Sequence, residues 1–216
     1  MTARGTALAL RSSTVSAVDP PDTVDVVAEG RDVPDWVLRW CRGCGRRVQL
    51  QPTPDTAVDR IRAVAGLVGH TVLVPRPALR QPGPPRIVAA VRDLPADAFV
   101  LAEGAQVAAE LDCSLVLVHG VPLSFGERSV GLDAALEHGR QMLDAATDLL
   151  STRSPRITVE ARLLRVRPHE LVGEELEADL LVIGGPRART PVSLGLVASS
   201  AVQHAACPVL LAPRVS

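Results

Sequence analysis

The sequence predicts an α/β fold: an open five-stranded parallel sheet with helices on both faces, preceded by a smaller α/β unit that reads as a shortened first repeat. Three observations predict it. From residue 86 onward, short apolar runs alternate with helix-length amphipathic ones. Several of those runs are apolar at nearly every position, as parallel strands covered on both faces must be. And the stretch "ALRQPGPP" (78–85), with three prolines and a glycine, can continue neither a helix nor a central strand, so it divides the chain.

The elements of the larger part follow in order. "RIVAAV" (86–91) is a first strand, and "ADAFVLAEGAQVAAEL" (96–111) has helical spacing through Phe99, Val100, Val107 and Leu111. "SLVLVHGV" (114–121) is the second strand. "GLDAALEHGRQMLDAATDLLS" (131–151) is a long amphipathic helix in which Leu132, Leu136, Met142, Leu143, Ala146 and Leu150 recur near every third and fourth residue. "RITVEARLL" (156–164) alternates as a third strand, and "PHELVGEELE" (168–177) starts with a proline suited to a first helical turn. "DLLVIG" (179–184), a helix at 197–206 and "PVLLAP" (208–213) complete the pattern.

Residues 1–22, rich in Ser, Thr and Ala, read as a tail. The short unit, 23–77, has strand-like runs at 23–30, 46–51 and 70–75 and helix-like runs at 35–44 and 56–68. It carries an internal echo: "AVAGLVGHTVLVPRP" (63–77) resembles "AVQHAACPVLLAPRV" (201–215), each a small-residue helix running into a strand that ends in Pro-Arg. The division is therefore tail 1–22, short unit 23–77, linker 78–85 and main domain 86–216.

Composition narrows the function. The 216 residues include no Tyr, two Phe and two Trp, so Val, Leu, Ile and Ala must fill the core. The net charge of −1 offers no field for nucleic acid, and the basic run 153–167 lacks aromatic residues for stacking. All 23 basic residues are Arg, which reads as the mark of a GC-rich bacterial gene. No run approaches the ~18 apolar residues of a membrane span. "GTALAL" near the start is too short for a signal-peptide core, so a soluble cytoplasmic protein without membrane contact is expected.

Together, "RIVAAV", "SLVLVHGV", "EADLLVIGG" and "HAACPVLLAP" resemble the universal stress protein family over about 86–213. The resemblance implies a Rossmann-like sheet, dimerisation through the last strand, frequent tandem copies, and ATP binding in one branch of the family. In that branch the phosphate loop reads Gly, two residues, Gly, nine residues, Gly, then Ser or Thr. Here the loop is "GGPRARTPVSLGL". Gly184 matches the first glycine, the second falls at Arg187, Gly195 matches the third, and Leu196 stands where the hydroxyl belongs. The loop is two residues short.

Phosphate loops aim backbone N–H groups at the anion, which needs glycine's freedom and close approach. Pro186 and Pro191 each remove a donor. Arg187 and Arg189 add positive charge, and Thr190 and Ser193 add hydroxyls, so Gly184, Arg187, Thr190, Ser193 and Gly195 form the candidate phosphate loop, degenerate or rebuilt. The family's adenine-side aspartate, just after the first strand, falls on Arg92; the neighbouring Asp93 reads as the cap of the next helix, with Pro95 in its first turn.

Other motifs are weaker. "WCRGC" (40–44) resembles a thioredoxin-like Trp-Cys-x-x-Cys, but Cys41 and Cys44 fall at a helix end, not at the N-terminus that lowers a thiol pKa. Cys113 and Cys207 supply no evident zinc set. His70, His119, His138, His169 and His204 do not cluster and show no metal spacing, and no nucleophile elbow or catalytic triad stands out. The leading expectation is a non-catalytic stress-response or regulatory protein with a degenerate ATP loop and no required cofactor. It would act as a homodimer, with "PVLLAP" offered as an edge strand to a partner, or as an internal pseudo-dimer in which "HTVLVP" takes that edge. The alternatives are an ATP-binding switch with a remodelled loop, and a thiol-redox protein using Cys41 and Cys44.

Overall fold

Residues 21–28, 33–76, 85–121, 131–166, 172, 176–186 and 194–214 are described in the computed structural model. Residues 1–20 of the expected tail 1–22, and most of the expected linker and 168–177 helix, lie outside the described residues; of that helix, only Val172, Leu176 and Glu177 fall within them.

The chain runs β1 (Thr23–Ala28), α1 (Asp35–Gly43), β2 (Arg47–Pro52), α2 (Ala57–Gly66), β3 (Thr71–Val74), β4 (Arg86–Ala90), α3 (Ala98–Glu110), β5 (Ser114–Gly120), α4 (Leu132–Arg153), β6 (Val159–Leu164), β7 (Leu180–Gly184), α5 (Leu196–His204) and β8 (Val209–Ala212). All eight strands share one sheet, in the order β2-β1-β3-β8-β7-β4-β5-β6. The five expected strands, β4 to β8, are parallel to their neighbours within that set. The three strands of the short unit extend this sheet instead of building a second one.

The join is a single antiparallel seam. Val72 pairs with Leu211, Leu73 with Leu210 and Val74 with Val209. This corrects the expectation of β8 as an open edge: it lies between β7 and β3, with its ladder taken on both sides. The outer strands are β2 and β6, and the lack of any fully buried residue in either fits that place.

The strands bury both faces because helices cover both. On one face α1, α3 and α4 bring Val37, Trp40, Val100, Leu101, Val107, Leu143 and Leu150 against Val24, Leu73, Ile87, Leu115 and Leu210. On the other, α2 and α5 bring Val64, Ala65, Ala201 and Val202 against Val72, Val74, Val88, Leu181 and Leu211. Local chemistry sets the helix ends. Thr56 caps α2 by accepting the Asp59 N–H at 3.1 Å. After α1, Gly45 takes φ 68°, its N–H donating to the Arg42 carbonyl and that of Arg46 to the Cys41 carbonyl. This is the glycine-dependent Schellman closure, and it turns Arg46 inward.

The seam also fixes which way the two Pro-Arg ends point. Side chains alternate faces along a strand. Val72 and Val74 lie in the same core as Val209 and Leu211, whereas Leu73 lies with Leu210 and Ala212. Even positions of β3 therefore share a face with odd positions of β8. Arg76 and Arg214 match in the sequence echo, but both are even-numbered, so they leave the sheet on opposite faces.

Candidate functional site

In the order β8-β7-β4-β5-β6 the chain reverses its direction of travel between β7 and β4. Ligands of open α/β sheets bind outside the carboxyl ends of the strands at such a point. Gly184 ends β7 there, and Arg92 follows β4. The structure places an ion pair across this position. Arg214, just beyond β8, brings Nη2 to 2.5 Å from Asp97 Oδ1, with the two side chains only 11% and 2% exposed. The contact is a close approach of charges and not an aligned hydrogen bond, since Asp97 Oδ1 and Arg214 Nε and Nη2 find no hydrogen-bond geometry with any described group.

Gly184 makes this packing possible. A Cβ there would lie 3.0 Å from Arg214 Nε and 3.0 Å from Asp97 Oδ1. The glycine that matches a phosphate loop's first residue thus gives room to a protein side chain. Asp97 also holds the strand end: its Oδ2 accepts the N–H of Arg92 at 2.7 Å and of Asp93 at 3.0 Å. This corrects the reading of Asp93 as a helix cap. A turn over 93–97 separates β4 from α3, so Asp97 occupies the N-cap position, and its carboxylate turns back onto the strand end. Pro95 sits in that turn and not in the helix.

The other end of the candidate loop has no close neighbour among the described residues. Gly195 precedes α5 with φ −62°, open to any residue, and a Cβ there would meet no described atom within 4 Å. Leu196, where a hydroxyl was expected, is 85% exposed. Arg187, Thr190 and Ser193 lie outside the described residues. The geometry therefore brings Gly184 into a packed site and places Gly195 at the start of α5.

A second cluster ties the short unit to α3. Arg46 Nη1 donates to Glu103 Oε2 at 2.6 Å and Arg46 Nη2 to Thr71 Oγ1 at 2.8 Å, while the Thr71 hydroxyl donates to Glu103 Oε1 at 2.5 Å. The guanidinium stacks over Trp40 at 5.0 Å. The thiols beside it are poor nucleophiles. Burial pushes Cys41 up to about 11 against the lowering effect of Arg46, and burial also raises Cys44. Both are free, at the C-terminal end of α1, so the thioredoxin-like reading finds no activated thiolate. Burial likewise raises Cys113, and Cys207 to about 11. Among the described residues no group of three or more His, Cys, Asp or Glu could hold a metal. His119 Nδ1 lies 2.9 Å from the Val91 carbonyl, and His70 Nδ1 lies 2.6 Å from the buried Asp25, whose other oxygen accepts from Gln51 at 2.6 Å. No described helix is long and apolar enough to cross a membrane.

Asp97 and Arg214 were missed by sequence reasoning. Arg214 had one signal, its match to Arg76 in the echo. Arg76 reaches the carbonyls of Val202 and Gln203 at the end of α5. Its counterpart does something different because the seam turns it to the other face.

The model of the universal stress protein family matches residues 84–213. Similar solved structures include a protein of that family from Burkholderia pseudomallei, with 29% identity, covering 61% of this chain and 99% of that one, at a TM-score of 0.48. A universal stress protein from Archaeoglobus fulgidus has 25% identity, covers 61% of this chain and 99% of that one, and gives a TM-score of 0.50. A structure of the universal stress protein from Archaeoglobus fulgidus in complex with dAMP has 25% identity over 59% of this chain and 96% of that one, at a TM-score of 0.47. No curated protein matches the chain significantly.

Proposed function

The chain belongs to the universal stress protein family, and from that membership we propose that it is a non-catalytic, cytoplasmic stress-response regulator acting through contacts with other proteins. In this reading the chain carries its own family-type partner. The observation that supports it is the antiparallel β3–β8 seam. Family dimers are expected to form through the last strand, and here β3 already lies against that strand from within the same chain. The short unit then reads as a reduced repeat standing where a second protomer would.

The nucleotide site reads as degenerate. The donors a phosphate needs are reduced by Pro186 and Pro191, Leu196 replaces the hydroxyl, and Arg214 with Asp97 packs against Gly184. No cofactor is required for the fold or for partner contact. Two measurements test the reading together: solution mass by light scattering, and calorimetric titration with Mg-ATP. We expect a monomer at micromolar protein and no heat at millimolar nucleotide. A stable dimer would refute the internal partner, and micromolar ATP binding would refute the degenerate site in favour of a nucleotide switch.

A further inference from the structure

We propose that Arg214 is a built-in occupant of the crevice between β4 and β7, and that this side chain keeps nucleotides out. The inference rests on reading the crevice as a closed nucleotide site.

The position is the switch point of the sheet, where Gly184 leaves open space beside a carboxylate. In this chain the Arg214 side chain fills that space, with its Cδ 3.1 Å and its Nε 3.0 Å from where a Gly184 Cβ would stand. Its charge faces Asp97 Oδ1 at 2.5 Å, and burial is nearly complete on both sides. A ligand cannot share this volume, so it must displace the guanidinium or stay out. Displacement would strand Asp97, a buried carboxylate, without its counter-charge, which is strongly unfavourable. The pair therefore opposes entry by shape and by charge together.

The contact is nevertheless not optimal as a bond, because the facing atoms are close but not aligned. Asp97 keeps its other oxygen on the Arg92 and Asp93 N–H groups, so the turn is held independently of Arg214. Truncating Arg214 would leave a pre-formed recess with one free acceptor oxygen at its wall. That chemistry suits a neutral hydrogen-bond donor, such as a ribose hydroxyl or a base amine, and repels a polyphosphate. The recess would take the nucleoside portion of a ligand.

The test is calorimetry on the full chain with adenosine, Mg-ATP and inorganic tripolyphosphate, comparing wild type with Arg214→Ser and Arg214→Gln. Thermal unfolding of each variant checks the fold. We expect at least a tenfold gain in affinity for adenosine and Mg-ATP in a folded variant, and none for tripolyphosphate. A folded variant that binds adenosine no better than wild type overturns the inference, whatever the wild-type affinity. So does a gain confined to tripolyphosphate, or the failure of both variants to fold, which would make Arg214 a structural keystone. Tight binding by the wild type instead sinks the closed-site reading itself, a separate and distinguishable result.

Discussion

Replacing Glu103 by Ala would remove the acidic centre of the cluster that joins the short unit to α3. Glu103 is fully buried and the Arg46 side chain is 3% exposed, so water cannot take over the lost partners. Two hydrogen bonds to a charged carboxylate contribute about 1.5–3 kcal/mol each. Leaving a buried guanidinium unpaired costs about 3–5 kcal/mol in comparable cases. The stacking over Trp40 at 5.0 Å returns a fraction of this. A loss of about 3–5 kcal/mol is a large share of the ~5–15 kcal/mol that holds a typical protein folded. It corresponds to a drop in Tm of roughly 6–20 °C for a chain of this size. Denaturant titration measures it with two probes. Both tryptophans, Trp36 and Trp40, lie on α1, so their fluorescence reports the short unit, while circular dichroism reports all helices. Wild-type curves from the two should coincide, and Glu103→Ala should shift both. The triple change Arg46→Met, Thr71→Val and Glu103→Leu should restore most of the loss, because apolar replacement of a buried ion pair is often neutral or better. A Glu103→Ala loss below about 1 kcal/mol, well under the cost of an unpaired buried charge, would refute the reasoning. Separate wild-type transitions would refute the coupling of the short unit to the rest.

Other perturbations follow from single contacts. Gly184→Ala should cost about 1–3 kcal/mol by overpacking against Arg214 and Asp97, read as a lower midpoint in urea. Arg76→Ala frees the Val202 and Gln203 carbonyls at the end of α5 and should lose about 1.5–3 kcal/mol; faster amide exchange in α5 would accompany it. At pH 8, iodoacetamide should label the exposed Cys44 first and leave the buried Cys41 and Cys207 for the unfolded chain, with mass spectrometry locating the adducts. Cys41 and Cys207 hold their protons more tightly in the folded chain, at about 11 against an ordinary 9.0. Folding therefore favours the thiol form, and stability should fall as pH rises from about 9 to about 11. Replacing both by Ala should flatten that alkaline slope, and an unchanged slope would assign it elsewhere.

Much of the fold was legible because period and composition agree. Val88, Leu115, Leu181 and Leu210 lie in runs so apolar that only doubly covered strands accommodate them. The echo between 63–77 and 201–215 pointed to the two strands that meet at the seam. The site was less legible. Asp93 stood beside the expected position and drew attention from Asp97, whose role depends on a turn that brings it back onto the strand end. Arg214 looked equivalent to Arg76. Their opposite directions follow from the parity of the strand pairing, a tertiary property that the echo does not contain. The glycines differ in a similar way: Gly184 and Gly195 look alike in a motif, but among the described residues only Gly184 has neighbours that a methyl group would disturb.

The β3–β8 seam changes what concentration and mutation can do to this molecule. Partners joined by one backbone meet at an effective concentration set by the connecting segment, so dilution does not separate them. The pairing is also released from the rule of an isologous interface, in which every substitution appears twice across the axis. Each side of the seam can drift alone. Arg76, beyond β3, closes a helix end, while Arg214, at the matching place beyond β8, packs against Gly184 and Asp97, a division of labour that the same residue repeated across an exact dyad could not show.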